Sequence, residues 1–298
     1  MVDNFAQNEM LARVGMLPHG SVVLLLGGTD VGKSTLARAI VDASQKPHPG
    51  PLLGKEREKD AGNSVSLLDL DVGQGSLSPP CAIGAAVVEG GVTSPAGMWF
   101  AGDVTPVRHI RDICEGSVRL IERLRRHDPA LTVVDTCGLI GGKIGVVLKQ
   151  RLIRTIGPDV IVAIERSSEL DPILTSLTRS DAPSTAIWKC APSTEVGRKT
   201  SRFRRRYRTE RLAAALEGAR SVTFPLATPP KVDDLVGLMA GLIDGEGFCL
   251  GIGVVEAVGE GEVVVNTAVV ELERVAMVKL GELRVESGRW PRDQAPRP

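Results

Sequence analysis

The sequence lacks the features that mark secreted, zinc-stabilised and membrane-spanning proteins. Its five cysteines stand singly, with no CxxC pair and no cluster of cysteine and histidine at the spacing of a zinc site. No run of eighteen apolar residues occurs, and the N-terminus has neither the basic start nor the apolar stretch of a signal peptide. We therefore exclude a disulfide framework and expect a soluble, cytoplasmic protein with reduced thiols and no membrane partner.

Aromatic residues and net charge are also scarce. Aromatics make up 3% of the 298 residues, and the formal net charge is +0 although 24% of the residues are charged. Few side chains are available to stack on bases, and no field of the whole molecule draws the chain to nucleic acid, so any basic site must be local. The hydrophobic content of 43% suffices for one large α/β core and a smaller appended domain.

Short apolar runs alternate with helical patterns through the first two thirds of the chain. Strands that are apolar on both faces are predicted at residues 22–26, 65–70, 131–134 and 160–164. Amphipathic helices are predicted at residues 34–43, 107–126 and 144–156. Because a strand buried on both faces needs helices on either side, the alternation predicts an α/β fold with a doubly wound, mostly parallel sheet.

The composition changes after Phe224. Three prolines between residues 225 and 230 predict a linker, and the glycine-rich stretch behind them carries short valine runs. We expect one domain at residues 1–224 and a small C-terminal β-rich domain at residues 225–298. Within the second domain, residues 235–243 have a helical pattern.

Residues 27–35 read GGTDVGKST and fit the pattern GxxxxGK[ST] of a phosphate-binding loop. They stand between a predicted strand and a predicted helix, as a phosphate-binding loop does. A glycine-rich turn that matched the pattern by chance would not need these flanking elements. Lys33 would reach the β- and γ-phosphates and Ser34 would supply a hydroxyl to Mg²⁺, which predicts a P-loop NTPase that binds ATP or GTP with Mg²⁺. The residues expected to hold the nucleotide are Gly28, Thr29, Asp30, Val31, Gly32, Lys33, Ser34 and Thr35.

Two aspartates, Asp69 and Asp71, lie at the end of the second predicted strand. Mg²⁺ and an attacking nucleophile need a carboxylate on a neighbouring strand end. Asp71 lies nearer the carboxyl end of the sheet, so we expect it to bind Mg²⁺ and to accept the proton of an incoming hydroxyl. For Asp69 a structural role at the turn is as good an explanation as a functional one.

The third predicted strand ends in Asp135, Thr136, Cys137 and Gly138. P-loop GTPases and metal-chaperone NTPases use such a DxxG segment to sense the γ-phosphate. Guanine-specific switches also carry an NKxD loop, and none of the asparagines in this chain precedes a lysine. The sequence therefore lacks the base-reading motif of a GTPase.

A basic cluster interrupts the neutral composition between residues 198 and 211. A bare charge run is as often a solvated helix face as a binding site. Here all but one of the basic residues are arginine, the bidentate phosphate binder, and a strong helix-forming segment follows at residues 212–216. We therefore expect an arginine-rich helical lid, at about residues 165–220, that closes over the triphosphate. The basic residues are Arg198, Lys199, Arg202, Arg204, Arg205, Arg206, Arg208 and Arg211.

These segments together resemble the polynucleotide 5′-hydroxyl kinases, the family that includes the RNA kinase of the eukaryotic pre-mRNA cleavage complex and the nucleolar pre-ribosomal-RNA kinase. The resemblance spans most of residues 21–216. After the phosphate loop, DVGQGS at residues 71–76 is similar to the second acidic motif of the family, and GDVTP at residues 102–106 is similar to its glycine-to-Thr-Pro turn. Residues 136–139 resemble the clasp T-x-G-W, and residues 204–208 match the lid pattern R-x-x-x-R.

The resemblance implies that Lys33 and Ser34 hold the triphosphate and Mg²⁺ and that Asp71 activates the 5′-hydroxyl of an RNA or DNA end. It also implies that Arg204 and Arg208, which would share a helix face, stabilise the transferring phosphoryl group. The remaining residues expected to contact substrates are Gln74, Thr105, Thr136, Gly138 and Arg202.

The chain departs from the family pattern at the clasp, where Leu139 stands in place of tryptophan. Trp99 is a conceivable substitute, although a core role suits it better. We also expect the extra N-terminal β domain of the eukaryotic relatives to be absent, because the chain begins only about twenty residues before its first predicted strand.

Two functions from different classes fit these motifs. The first is a kinase that phosphorylates 5′-hydroxyl ends. The second is a P-loop switch or maturation factor that hydrolyses nucleotide to drive a protein partner. The arginine helix and the DVGQ segment favour the kinase because a switch needs neither. The sequence does not specify RNA or DNA, protein partners or oligomeric state.

Overall fold

The structure is a computed structural model that describes residues 2–5, 7–45, 64–177, 185–192, 197–226 and 235–285. The chain divides into two units. The first comprises Met1–Asp71, Gly84–Gly97 and Cys114–Lys199, and the second comprises Val72–Ile83, Met98–Ile113 and Thr200–Pro298. The linker prolines Pro229 and Pro230 lie outside the described residues.

An eight-stranded sheet is the basis of the first unit. Its strands are β1 (Val2–Phe5), β2 (Ser21–Gly27), β3 (Val65–Leu70), β4 (Ala82–Glu89), β5 (Val92–Phe100), β6 (Leu131–Thr136), β7 (Val160–Ile164) and β8 (Ala186–Cys190). The helices between them are α1 (Gln7–Val14), α2 (Lys33–Ser44), α3 (Ile110–Arg125), α4 (Gly142–Ile156) and α5 (Asp171–Leu177). In the part of the chain that the structure describes, no helix combines the length and the apolar character needed to cross a membrane.

The strand order is β1-β8-β7-β2-β6-β3-β4-β5, and the pairs from β1 to β3 are parallel, while β4 runs antiparallel to β3. Strands β2, β6 and β7 are buried along their whole length, because helices cover a parallel sheet on both faces. In one core, Leu36 and Ile40 of α2 join Val23 and Leu25 of β2. The α/β fold with a mostly parallel sheet is thus confirmed, and each strand and helix predicted between residues 22 and 164 lies within a few residues of its expected bounds.

A five-stranded antiparallel sheet with the order β13-β10-β11-β12-β9 forms the second unit. Its elements are α6 (Ser201–Ala215), β9 (Arg220–Pro225), β10 (Leu238–Asp244), β11 (Cys249–Gly259), β12 (Glu262–Thr267), a short 3₁₀ turn (Leu272–Arg274) and β13 (Val275–Arg284). The C-terminal region is therefore β-rich, as its valine runs predict.

The helix predicted at residues 235–243 is wrong, because most of this segment is strand β10. Met239 and Ile243 belong to one apolar core, whereas Leu238, Ala240 and Leu242 belong to another. A strand that buries both faces has a continuous apolar sequence, which periodicity alone does not separate from a buried helix.

The boundary expected between residues 224 and 225 differs from the division in the structure. Strand β9 ends at Pro225 and pairs with β12, so the residues before the prolines already belong to the second sheet. Helix α6 also belongs to the second unit, where its Leu212 joins Phe100 and Met239 in an apolar core. Pairing and packing between distant segments set this division, and composition along the chain does not report them.

Candidate active site

The phosphate loop connects the carboxyl end of β2 to the start of α2, as its sequence predicts. Gly32 has a φ of 93°, a left-handed conformation that glycine adopts without steric cost. A Cβ at Gly27 would lie 2.7 Å from the carbonyl oxygen of Ile164, so a side chain does not fit there. Gly32 is the N-cap residue of α2 and has no side chain to cap the helix. The first N–H groups of α2 are therefore suited to bind phosphate oxygens.

Lys33, the lysine of this loop, is only 7% exposed. Its Nζ donates a hydrogen bond of 2.6 Å to the carbonyl oxygen of Gly28. Burial lowers the pKa of Lys33, and the carboxylates of Asp135 and Asp71 oppose this shift. The ammonium thus lies against its own loop, from which it would turn to reach a triphosphate.

Asp135, at the end of β6, accepts a hydrogen bond from the hydroxyl of Ser34. It is almost fully buried, and its Oδ1 has no hydrogen-bond partner among the described residues. Burial raises the pKa of Asp135, while Ser34 and Lys33 act in the opposite direction. From the sequence, Asp135 was recognised only as part of a DxxG segment. The structure places it directly beside the predicted Mg²⁺ ligand Ser34.

These groups fit a Mg²⁺ ion. Mg²⁺ binds oxygen ligands, prefers one or two carboxylates and keeps several waters. The Ser34 hydroxyl and the unpartnered Oδ1 of Asp135 are oxygen donors of this kind, and a buried carboxylate oxygen without a partner is costly unless a ligand satisfies it. Asp135 is therefore a better candidate ligand than the predicted Asp71.

Asp69 and Asp71 have different positions. Asp69 lies inside β3 and is buried, and its Oδ1 accepts the backbone N–H of Asp71 at 3.1 Å. Asp71 follows the strand, is half-buried, and is close enough to Lys33 and Asp135 to affect their pKa values. Asp69 thus shapes the strand end, whereas Asp71 places a half-buried carboxylate near Lys33 and Asp135.

The predicted clasp residues Thr136 and Gly138 also differ in what they contact. Thr136 is 1% exposed, and its hydroxyl donates to the carbonyl oxygen of Leu25 at 2.8 Å. It therefore fixes β6 to β2 and does not present its hydroxyl to a substrate. Gly138 lies against the phosphate loop, where a Cβ would be 2.7 Å from the Cα of Thr29. Its lack of a side chain allows this close approach.

Lys149 on α4 is a residue that the sequence analysis missed. It is fully buried, and its Nζ donates to the carbonyl oxygen of Cys137 at 2.5 Å and to its Sγ at 3.4 Å. Its charge lowers the pKa of both Lys33 and Asp135. The sequence does contain a clue to Lys149, because this lysine stands within the apolar stripe of α4, between Leu148 and Leu152. Lysine is almost never fully buried without a partner, so a lysine in such a stripe indicates a specific role.

Arg166 is a second missed residue. It follows β7 at the carboxyl edge of the sheet, the edge where ligands bind in open α/β folds. Its Nη2 donates to the carbonyl oxygen of Asp30 at 2.9 Å, and the backbone N–H of Lys199 donates to the Asp30 carboxylate at 3.0 Å. Two bonds thus hold the tip of the phosphate loop, and one of them comes from an exposed guanidinium.

The other predicted site residues belong to the second unit. Gln74 is half-buried in the turn after β3, Thr105 is exposed in the bend after β5, and Arg202 is exposed on α6. Arg204 and Arg208 are half-buried on one face of α6. The helix itself, capped by the Thr200 side chain, is as predicted.

Helix α6 makes side-chain contacts with the segment that follows the DVGQ residues. The Tyr207 hydroxyl donates to the Gly75 carbonyl oxygen at 3.1 Å. The Arg211 guanidinium donates to the carbonyl oxygens of Ser76 and Ser78, both at 3.0 Å. The Arg211 guanidinium therefore fixes the segment that contains Ser76 and Ser78.

Trp99 is half-buried. Its ring packs edge-to-face on Phe248, with centroids 6.2 Å apart, and its Nε1 is buried. The exposed aromatic residue on α6 is Phe203, which is 49% exposed.

Comparison with known proteins assigns the chain to a family. Residues 27–218 match the model described as mRNA cleavage and polyadenylation factor CLP1 P-loop. A polyribonucleotide 5′-hydroxyl-kinase of Pyrococcus horikoshii is 26% identical over 340 residues, which cover 92% of this chain and 88% of the relative. One of Methanocaldococcus jannaschii is 33% identical over 157 residues, with coverage of 51% and 39%. Clp1 of Homo sapiens is 27% identical over 232 residues, with coverage of 73% and 50%.

A solved structure has the same fold. In the complex of wild-type Clp1p with Pcf11p, the similar chain gives a TM-score of 0.66 at 13% identity. The match covers 93% of this chain and 77% of that chain.

Proposed function

We propose that this chain, which belongs to the mRNA cleavage and polyadenylation factor CLP1 P-loop family, is a polynucleotide 5′-hydroxyl kinase. It is a phosphotransferase that moves the γ-phosphate of a nucleoside triphosphate onto the 5′-hydroxyl end of RNA or DNA. The observation that carries the proposal is the group formed by Lys33, Ser34, Asp71 and Asp135 at the phosphate loop. It combines a phosphate-binding cation, a metal-binding pair and a carboxylate for the acceptor.

The triphosphate binds along the loop of residues 28–35. Lys33 leaves the Gly28 carbonyl for the β- and γ-phosphates, and the exposed Arg166 lies beside the tip of the loop. Ser34 and Asp135 would hold Mg²⁺, which when bound neutralises charge on the phosphate oxygens. The buried charge of Lys149 lowers the pKa of Lys33 and Asp135, and its Nζ holds the Cys137 carbonyl oxygen.

On the acceptor side, Asp71 accepts the proton of the 5′-hydroxyl as its oxygen attacks the γ-phosphorus. A bond forms between that oxygen and phosphorus, the bond from phosphorus to the bridging oxygen breaks, and the nucleoside diphosphate leaves. Gln74 and Thr105 contact the acceptor, and Gly138 allows the segment after β6 to approach the phosphate loop closely. Thr136 acts indirectly by holding the strand end.

The arginines of α6 act on charge. Arg204 and Arg208 stabilise the equatorial oxygens of the transferring phosphoryl group, since negative charge is shared among them during transfer. Arg202 binds phosphates of the acceptor. The backbone N–H of Lys199 donates to the carboxylate of Asp30 in the phosphate loop.

We propose ATP or GTP as the donor, without strong base preference. The five cysteines are free thiols, which suits a reducing, cytoplasmic location.

The test is transfer of label from γ-labelled ATP to single-stranded RNA and DNA oligonucleotides. Labelled product is expected with 5′-hydroxyl ends, whereas the same oligonucleotide with a 5′-phosphate serves as the matched control and should stay unlabelled. The Asp135→Asn variant, tested in parallel, separates the activity from a contaminating kinase. Label released only as free phosphate with every acceptor would instead support a nucleotide-driven switch and overturn the proposal.

A further inference from the structure

Three metal-ligating side chains converge in the second unit, in residues to which the kinase reaction gives no role. They are Asp103, His109 and Glu282, and one ligand atom of each lies within 4.8 Å of those of the others. Asp103 lies in the GDVTP turn after β5, His109 immediately precedes α3, and Glu282 lies in β13. Side chains from three separate segments of the chain thus meet at one point.

His109 carries the evidence that this group binds a ligand. His109 is 7% exposed, and its Nε2 is buried without a hydrogen-bond partner in the described parts of the chain. This nitrogen lies 3.9 Å from Glu282 Oε2, which is too long for a hydrogen bond. Buried polar atoms in native proteins are nearly always satisfied, so this nitrogen calls for a partner that occupies the space between it and the carboxylates.

The separations suit a metal ion. Two ligands that each lie about 2.1 Å from one ion are at most about 4.2 Å apart, and the distance of 3.9 Å between His109 and Glu282 falls within that limit. The outer bound of 4.8 Å requires a contraction of roughly 0.6 Å, which a side-chain rotation supplies.

The backbone holds the donors in place without the ion. The N–H groups of Glu282 and Leu283 donate to the Gly102 carbonyl oxygen at 2.9 and 3.2 Å. A Cβ at Gly281 would lie 2.4 Å from that oxygen, so only glycine allows this approach. The turn and β13 are therefore in register before any ligand binds.

The carboxylates of Asp103 and Glu282 keep lone pairs that can coordinate a metal ion. Glu282 accepts from Arg108 Nε at 3.2 Å, and Asp103 Oδ1 accepts the Val104 N–H at 2.6 Å. A carboxylate offers about four lone-pair sites, so these bonds do not exhaust either group. Burial raises the pKa of Asp103, and a cation beside it would offset that desolvation.

We propose that Asp103, His109 and Glu282 form a binding site for a divalent transition-metal ion such as Zn²⁺. An imidazole nitrogen with two carboxylates favours such an ion over Mg²⁺, which takes oxygen ligands. The ion clips the GDVTP turn to β13 and orders Thr105, which lies inside that turn. It is separate from the Mg²⁺ of the phosphate loop, and it does not depend on the kinase assignment.

The test uses the full chain without a histidine tag, freed of metal by a chelator and then titrated with Co²⁺ in excess Mg²⁺. Co²⁺ stands in for Zn²⁺ because its visible absorption reports coordination. We expect one equivalent to bind with nitrogen and oxygen ligands, and we expect Zn²⁺ to displace it. The ion should also raise the unfolding temperature, a readout that does not involve phosphate transfer.

Two site variants and two control variants assign the site. Glu282→Gln, at an exposed position, should weaken Co²⁺ binding by about tenfold or more and keep the fold, and His109→Gln should do the same. Glu273→Gln, at another exposed carboxylate of the second unit, is the matched control and should bind normally. Ser34→Ala should also bind normally, because it alters only the phosphate-loop metal. Absence of stoichiometric binding, binding unchanged in Glu282→Gln and His109→Gln, or a thiolate-to-cobalt charge-transfer band would each overturn the proposal.

Discussion

At the scale of single residues, the candidate site depends on charges that the fold has buried. Lys33, Asp135 and Lys149 are all less than one tenth exposed, and none of them would be buried at its natural charge without opposite charges nearby. Asp135 with Asp71 offsets the two lysines. Such a group costs stability and is explained best by its use at the phosphate loop.

The first residue-scale prediction concerns Asp135→Asn. Because burial raises the pKa of Asp135 in the folded state, the ionised form destabilises the fold, and this cost appears as pH rises from the ordinary aspartate value through the raised one. Asp135→Asn should therefore unfold at an equal or higher temperature than the wild type at neutral pH. The difference should vanish at a pH below the ordinary aspartate value. Thermal melts at the two pH values measure this.

The same variant should lose activity. The amide is a poor Mg²⁺ ligand, so transfer should fall by about 10²-fold or more. In the wild type, the apparent Mg²⁺ affinity should decrease as pH falls through the raised pKa of Asp135, because the protonated acid no longer binds the ion. Mg²⁺ titrations of initial rates check both points. An Asp135→Asn variant with normal Mg²⁺ dependence would remove Asp135 from the site.

Asp71 and Asp69 provide a matched pair for the general base. Asp71→Asn should lower kcat by about 10²-fold or more with little change in nucleotide affinity, since the carboxylate acts on the nucleophile in the transition state. Asp69→Asn retains an oxygen that accepts the Asp71 N–H, so its loss should stay below about tenfold. Single-turnover kinetics with saturating nucleotide separate the two. If Asp69→Asn is the more damaging change, the base has been assigned to the wrong residue.

Lys149→Met tests the buried lysine. Methionine fills a similar volume but leaves the buried Cys137 carbonyl oxygen without its donor, so stability should fall by about 1–3 kcal/mol. Transfer should fall by about tenfold, or about 1.4 kcal/mol, because the charge balance around Lys33 and Asp135 changes. Lys143→Met, at an exposed position on the same helix, is the control and should retain full activity. Equal activity of the two variants would make Lys149 purely structural.

At the scale of elements, the parts predicted from the sequence are those whose signals are local. Strand β2, the loop and helix α2 follow from one apolar run and one glycine pattern. The strand character of β10 was missed because two cores bury its opposite faces, and the clue lies in Phe100, whose ring would clash with any side chain at Gly241. Contacts between residues so distant in sequence leave no periodic signal.

The residues of the candidate site also divide into those with a local sequence signal and those brought together only by the fold. Lys33, Ser34 and Asp71 stand in recognisable motifs, and the structure places them together. Asp135, Lys149 and Arg166 come from three different elements and meet at the loop only through parallel pairing and packing of β6, α4 and β7. Thr136 also stands in a recognisable motif, but its hydroxyl donates to the Leu25 carbonyl oxygen within the sheet.

Helix α6 separates arginines by face, which gives a matched test of the lid. Arg204→Ala and Arg208→Ala, on the half-buried face, should each lower kcat by about 10²-fold with smaller effects on acceptor KM. Arg206, on the exposed face, bonds to Glu210 within the helix at 2.6 Å, so Arg206→Ala is the control and should change kcat little. Steady-state kinetics at saturating nucleotide measure these values. Equal effects at all three positions would show that the helix contributes only general charge.

At the scale of the whole molecule, the charge distribution determines how an acceptor is bound. The net charge is +0, so attraction to nucleic acid depends on the local basic cluster and not on a general field. Within it, Arg211 is bonded to carbonyl oxygens, whereas Arg198 and Arg202 are exposed on either side of the α6 N-terminus. These two arginines are the best candidates for contacts with acceptor phosphates.

The last prediction follows from this charge distribution and from the scarcity of aromatic side chains. Phosphate contacts release counterions, and each contact to a single strand contributes about 0.7 to the slope of log affinity against log salt. Arg198→Ala combined with Arg202→Ala should therefore raise the acceptor KM and reduce that slope by about 1.4, whereas Arg206→Ala should not. Because Leu139 stands at the clasp position and Trp99 packs on Phe248, terminal-base stacking should contribute little. Oligonucleotides that differ only in the 5′ base should then react within about threefold of each other, because stacking discrimination is weak. The measurement is kcat/KM for the four oligonucleotides at low and high salt, and a strong base preference that salt leaves unchanged would show that stacking or base-edge contacts outweigh this electrostatic contribution.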